Sequence, residues 1–147
     1  VTGGTASAPA DYSAVGPTSI TFTGSDTTRT LTVNVNGDFV AEPHETVFAQ
    51  LAVLTGGVSL TDADGIGTIT NDDTAGVTVS ESGGSTAVTE GGAPDTYTVV
   101  LTSQPTANVT VTLSPSAQLT TGLPQLVFGP GNWNVAQSVA VSAVDDG

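Results

Sequence analysis

Apolar and polar residues alternate along most of this chain. Ile20 and Phe22 alternate with threonines in TSITFTG, and Leu31, Val33 and Val35 alternate with Thr and Asn in TLTVNVN. Val47, Ala49, Leu51 and Val53 carry the same period through VFAQLAV, while Ile66 and Ile69 mark GIGTIT with looser spacing. GVTVS, TYTVVLT, NVTVTLS, QLVFG and SVAVSAV follow. β-Branched residues in alternation, broken by Gly, Pro, Asn and Asp, predict strands with one buried face. No stretch sustains a helical period. Many short strands separated by turn signals predict an all-β, antiparallel sandwich architecture.

The pattern also repeats. TSITFTGSDTTRTLTVNVNGD (18–38) matches PQLVFGPGNWNVAQSVAVSAVDDG (124–147), pairing Phe22 with Phe128, Leu31 with Val139, Val33 with Val141 and Asp38 with Asp146. The offset is 106 residues before the hairpin turn and 108 after it, because the second copy carries two extra residues around Asn132–Trp133–Asn134. A period of that size suits one sandwich domain. The unit boundary is expected at TNDDTAGVTVS, where one strand ends, two aspartates follow and the next strand opens at Gly76. So short a junction cannot act as a flexible tether.

Composition narrows the function. Fourteen acidic residues face a single Lys or Arg, which is Arg29, for a formal net charge of −13. Nucleic acid is excluded as a natural partner, because holding a phosphate backbone needs cationic groups that displace counterions. Adhesion to an anionic membrane surface is disfavoured for the same reason. With 37% hydrophobic and only 10% charged residues, the chain can build a core and is no polyacidic tail. The absence of cysteine and lysine removes disulfides, thiolate zinc sites and lysine cross-links together. Hard metal ions held by oxygen ligands are the stabilising device that remains. The chain opens on valine without a charged leader, and its longest near-apolar run, VFAQLAVL, is too short to span a bilayer. It is expected to be an excerpt from a longer protein.

The acidic residues fall where such ions could bind. In NGDFVAEPHE, Asp38, Glu42 and Glu45 crowd one turn, and Asp72 and Asp73 end the strand GTIT. A sandwich is expected to deliver both clusters to one end. Converging carboxylates repel unless a cation sits between them. Ca²⁺, which accepts six to eight oxygens from flexible loops, fits better than Mg²⁺ with its stricter octahedron.

The stretch 4–73 also resembles the Calx-beta domain. The resemblance rests on the GTA…ADY segment, the ITF hairpin, the D-x-x-x-E-x-x-E turn and the closing strand that ends in Asp-Asp, all in the family's order. It implies an immunoglobulin-like sandwich binding Ca²⁺ at one end, with Asp11 of ADY, Asp38, Glu42, Glu45, Asp72 and Asp73 at the calcium positions. Gly37 and Asn71 stand where many members carry further aspartates, which implies fewer ions. It further implies that residues 1–73 form the closing part of one sandwich and 74–147 the opening part of a second. That second unit looks like a divergent Calx-beta-like repeat of large bacterial surface or secreted proteins. In it Glu90 takes the early-glutamate position, and Asp145 and Asp146 start an acidic turn.

Other signals point to plain structure. DADG (62–65) imitates a calcium loop but has no later acidic ligand or flanking helices, so a hairpin turn is expected. Asn108 in NVT is a glycosylation sequon set in a strand. Trp133 is expected to cover its hairpin turn rather than stack on a sugar. His44 lacks a nucleophile motif or oxyanion hole nearby, and aromatics to line a glycosidase cleft are scarce, so no enzyme is expected. The expected role is a calcium-stabilised, rigid spacer of a secreted or cell-surface protein, whose partners are neighbouring repeats. A ligand-binding adhesin module with a glycan or protein ligand is one alternative. A filament subunit completed by strand exchange into a homopolymer is the other.

Overall fold

The computed structural model describes residues 1–147. The fold is all-β and antiparallel throughout, with one turn of 3-10 helix at Ser82–Gly84. The chain divides into two compact units. The first takes Val1–Asp38 and Glu42–Asn71, and the second takes Phe39–Ala41 and Asp72–Gly147.

In the first unit, β1 (Thr2–Gly3), β2 (Glu45–Gln50) and β3 (Asp64–Ile69) form a sheet in the order β1-β2-β3. Along the β2–β3 ladder Glu45 faces Ile69 and Gln50 faces Asp64. The DADG stretch is the entry to β3, where the Asp62 carboxylate accepts the Asp64 N–H at 3.1 Å, a local turn bond that starts the strand. The core is small: Ala6, Tyr12 and Val47, flanked by Val1, Val33 and Ile69. The GTA segment is clamped onto β2 by reciprocal bonds. Thr46 N–H donates to the Thr5 hydroxyl at 2.9 Å, and Thr5 N–H donates to the Thr46 hydroxyl at 3.3 Å. The approach is close enough that a Cβ on Gly4 would fall 2.3 Å from Thr46 Oγ1, so this position requires glycine.

The second unit is larger. Here β4 (Val77–Glu81), β5 (Asp95–Leu101), β9 (Gln137–Ala143) and β7 (Leu119–Thr121) make a four-stranded sheet in that order. A second sheet pairs β6 (Val109–Thr112) with β8 (Gln125–Phe128). Val99 and Leu101 of β5, Val139 of β9, and Leu126 and Phe128 of β8 form the core between the two sheets. Every second residue on these strands points inward, as the alternating sequence requires. Trp133 packs against this core with its ring 5.7 Å from that of Phe39, and its carbonyl accepts the Leu101 N–H at 3.1 Å. It thus covers the turn, as expected. Asp95 anchors the loop after β4: its carboxylate accepts from the Ser82 hydroxyl, Ala87 N–H and Thr96 N–H. These bonds, that from Ser82 foremost, hold its pKa below the ordinary Asp value.

The repeat folds differently in its two copies. In the second unit Phe128 is fully buried and Val139 is 1% exposed, whereas their counterparts Phe22 and Leu31 are 57% and 37% exposed. The expected strands at 18–24 and 30–36 do not form; Val35 makes only an isolated bridge to Tyr12. An alternating sequence becomes a strand where neighbours supply N–H and C=O partners. β9 has β5 on one side and β7 on the other, and the 30–36 segment has no such pair. Phe128→Ala should therefore lower the unfolding free energy by about 3–5 kcal/mol. Phe22→Ala should change it by less than about 0.5 kcal/mol, both read from urea unfolding followed by far-UV circular dichroism.

Candidate metal centre

Asp11 is placed by its neighbours on both sides. Buried Tyr12 anchors the loop, the Asp11 carbonyl accepts the Asn36 N–H at 3.0 Å, and Ser13 N–H donates to the Asn34 carbonyl at 2.9 Å. The Asn36 side chain adds a bond to the Pro9 carbonyl at 2.6 Å. Asp11, only 8% exposed as a residue, accepts both the Ser7 N–H (2.6 Å) and the Ser7 hydroxyl (3.0 Å) on Oδ2. The Ser7 N–H is the main reason its pKa lies below the ordinary Asp value, although burial acts the other way.

Glu42 and Glu45 approach this carboxylate from the acidic turn and the first residue of β2. One carboxylate oxygen from each of Asp11, Glu42 and Glu45 lies within 4.8 Å of the other two. Glu45 bears the consequence: burial, then the charge of Asp11, pushes its pKa up, helped by a hydrogen bond to Asp11 and the charge of Glu42. The convergence thus makes the charged form of Glu45 less favourable.

No cationic side chain of the chain itself relieves that repulsion. Arg29 is committed elsewhere, pairing with Asp26 three residues before it and donating to the Thr21 carbonyl. His44 is adjacent in sequence, but its Nδ1 accepts the Asn71 N–H at 3.0 Å, tying the entry of β2 to the exit of β3. The donor set that remains is three hard carboxylates, the chemistry that suits Ca²⁺. Oxygens on opposite sides of a Ca²⁺ ion, each at about 2.4 Å, are about 4.8 Å apart. The three residues therefore fit the ion at their present spacing.

The remaining candidates lie as follows. Asp38 belongs to the first unit without being one of the three, and Asp72 and Asp73 belong to the second. In the second unit Glu90 and Asp146 line a common open hollow of about 680 Å³ with Gln118, whose amide donates to Asp146 at 3.2 Å. Asp145 follows at the end of β9. The sequence pattern left out Ser7 and Asn36. The one signal for Ser7 is its place four residues before Asp11, from which a hydroxyl and an N–H can reach a carboxylate together.

The family model of the Calx-beta domain matches residues 1–83. Neither the curated proteins nor the solved structures yield a match to the chain.

The two shifted groups of this site give the metal-free first unit a defined pH response. Glu45 has a raised folded pKa, so its contribution is fully present below the ordinary Glu value of 4.5 and is lost as pH rises through the folded value. Asp11 has a lowered one, so its contribution is present above 3.8 and is lost as pH falls through the folded value. Scanning calorimetry with chelator should show the first unit losing stability from weakly acidic to neutral pH. Glu45→Gln should flatten that decline.

Proposed function

The chain belongs to the Calx-beta domain family, whose members are calcium-binding β-sandwich modules, and on that premise we propose that it is a calcium-stabilised structural repeat. The observation that carries the reading is the Asp11–Glu42–Glu45 group in a chain whose one cationic side chain is engaged with Asp26. Ca²⁺ replaces carboxylate repulsion with coordination, so binding free energy is added to folding free energy. Asp38, Asp72 and Asp73 are further calcium ligands of this reading. Asp72 and Asp73 stand in the NDDTAG stretch. Glu90, Asp145 and Asp146 form a weaker second site in the following unit.

In domain terms, residues 1–73 are the closing part of one immunoglobulin-like sandwich and 74–147 the opening part of a divergent Calx-beta-like repeat. The setting is a long bacterial surface or secreted protein, outside the cell, where millimolar calcium saturates sites of modest affinity. Its partners there are the neighbouring repeats, and its role is that of a rigid spacer. The family is structural and binding rather than catalytic. No helix is long and apolar enough to cross a membrane. Trp133, the aromatic that the glycan alternative would use, is engaged with Phe39 and the core of its unit.

Thermal melting with calcium and with chelator tests the reading. At calcium a hundredfold above the dissociation constant the folded state gains about 2.7 kcal/mol, a shift of several degrees. Asp72→Asn together with Asp73→Asn should remove most of the shift. An unchanged melting temperature in calcium would defeat the proposal.

A further inference from the structure

Segment 29–36 of the first unit has neighbours on one side and none on the other. Its counterpart in the internal repeat is β9, which lies between β7 and β5. On the β7 side, Leu119 faces Ala143 and Thr121 faces Val141. The first unit reproduces that side in outline. Tyr12 bridges Val35, the counterpart of Ala143. Ser13 N–H donates to the Asn34 carbonyl at 2.9 Å, and Asn36 N–H donates to the Asp11 carbonyl at 3.0 Å. Nothing reproduces the β5 side, and residues 29–33 make no backbone hydrogen bond.

Burial differs in the same sense at each matched position. Phe128 and Val139 are 0% and 1% exposed, packed with Val99 and Leu101 of β5, whereas Phe22 and Leu31 are 57% and 37% exposed. Val141 is buried and Val33 only partly so. The first unit is the less covered in all three pairs, and the second unit shows that β5 is the strand that covers them. An unpaired backbone edge beside exposed apolar residues is a template for one more strand.

We infer that the 29–33 edge is an acceptor site for an extended strand of β5's chemistry, apolar residues alternating with threonine. The β5–β9 ladder sets the register, since Asp95 faces Val141, Tyr97 faces Val139 and Val99 faces Gln137. Carried across the repeat offset of 108, a strand of β5's sequence lays Asp95 opposite Val33, Tyr97 opposite Leu31 and Val99 opposite Arg29. The partner is an uncommitted segment, because β5 in a folded copy already has Val99 and Leu101 buried in its own core. The inference rests on reading residues 1–73 as part of a sandwich, and not on calcium, because no proposed ligand lies between 18 and 33.

A peptide of residues 93–103, APDTYTVVLTS, is the probe, added to the native chain in chelator. Hydrogen exchange at residues 29–33 should be fast in the free chain and slow at least about tenfold with peptide, while the second unit is unchanged. The native chain has no cysteine, so register is directly readable. Under oxidation, Leu31→Cys should link to the peptide carrying Tyr97→Cys several-fold faster than to the peptide carrying Thr98→Cys, whose side chain points to the opposite face. The inference is overturned if about 1 mM peptide leaves exchange at 29–33 unchanged, or if a scrambled peptide protects equally. It is equally overturned if protection changes only in the second unit, or if the two cysteine peptides link at the same rate. None of these outcomes alters the calcium-dependent melting, so the two readings fail separately.

Discussion

The first unit is governed by negative charge that its own side chains leave uncompensated. Three carboxylates converge where Asp11, Glu42 and Glu45 meet, and the single arginine lies in another turn bonded to Asp26. The conflict shows in the two groups' opposite shifts: the Ser7 bonds hold the pKa of Asp11 below its ordinary value, while burial and the charge of Asp11 push that of Glu45 up. The fold is thus built around a vacancy of charge. On the reading proposed above, a hard divalent cation satisfies it. The Thr5–Thr46 clamp, the Tyr12 anchor and the Asn71–His44 bond hold the three carboxylates at a spacing that suits a calcium ion.

The second unit rests on a different interaction, the packing of β5, β8 and β9 around Phe128. The contrast explains how one repeated sequence gives two outcomes. Phe128 meets Val99, Leu101 and Leu126, and Phe22 meets solvent. Hydrophobic alternation encodes which face of a segment could be buried, and only a partner strand decides whether it is.

That distinction sets how far the sequence could be read. The strands β2 to β6, β8 and β9 were legible from their alternation, and antiparallel, all-β character followed from the spacing of the turns. β1 and β7 were missed because Thr2–Gly3 and Leu119–Thr121 are too short to carry a period. The segments around Phe22 and Leu31 were over-read because their pattern matches strands that find neighbours. At the site, the residue types and the motif pointed to Asp11, Glu42 and Glu45, and the structure brings these three together. Ser7 and Asn36 stayed hidden, since a serine in ASAPAD and an asparagine in NVNG look like ordinary turn residues. His44 was read only as lacking catalytic surroundings, and its ring closes the β2–β3 end through a backbone bond.

Isothermal titration of calcium into the native chain and into Asp11→Asn at neutral pH and physiological salt addresses the central claim most directly. The substitution removes one charge from the group while keeping the size of the side chain. Calcium should bind the native chain with a dissociation constant of about 0.1–1 mM or tighter. It should bind Asp11→Asn at least about tenfold more weakly, a loss of about 1.4 kcal/mol. Equal heats and equal affinity for the two proteins would contradict the account.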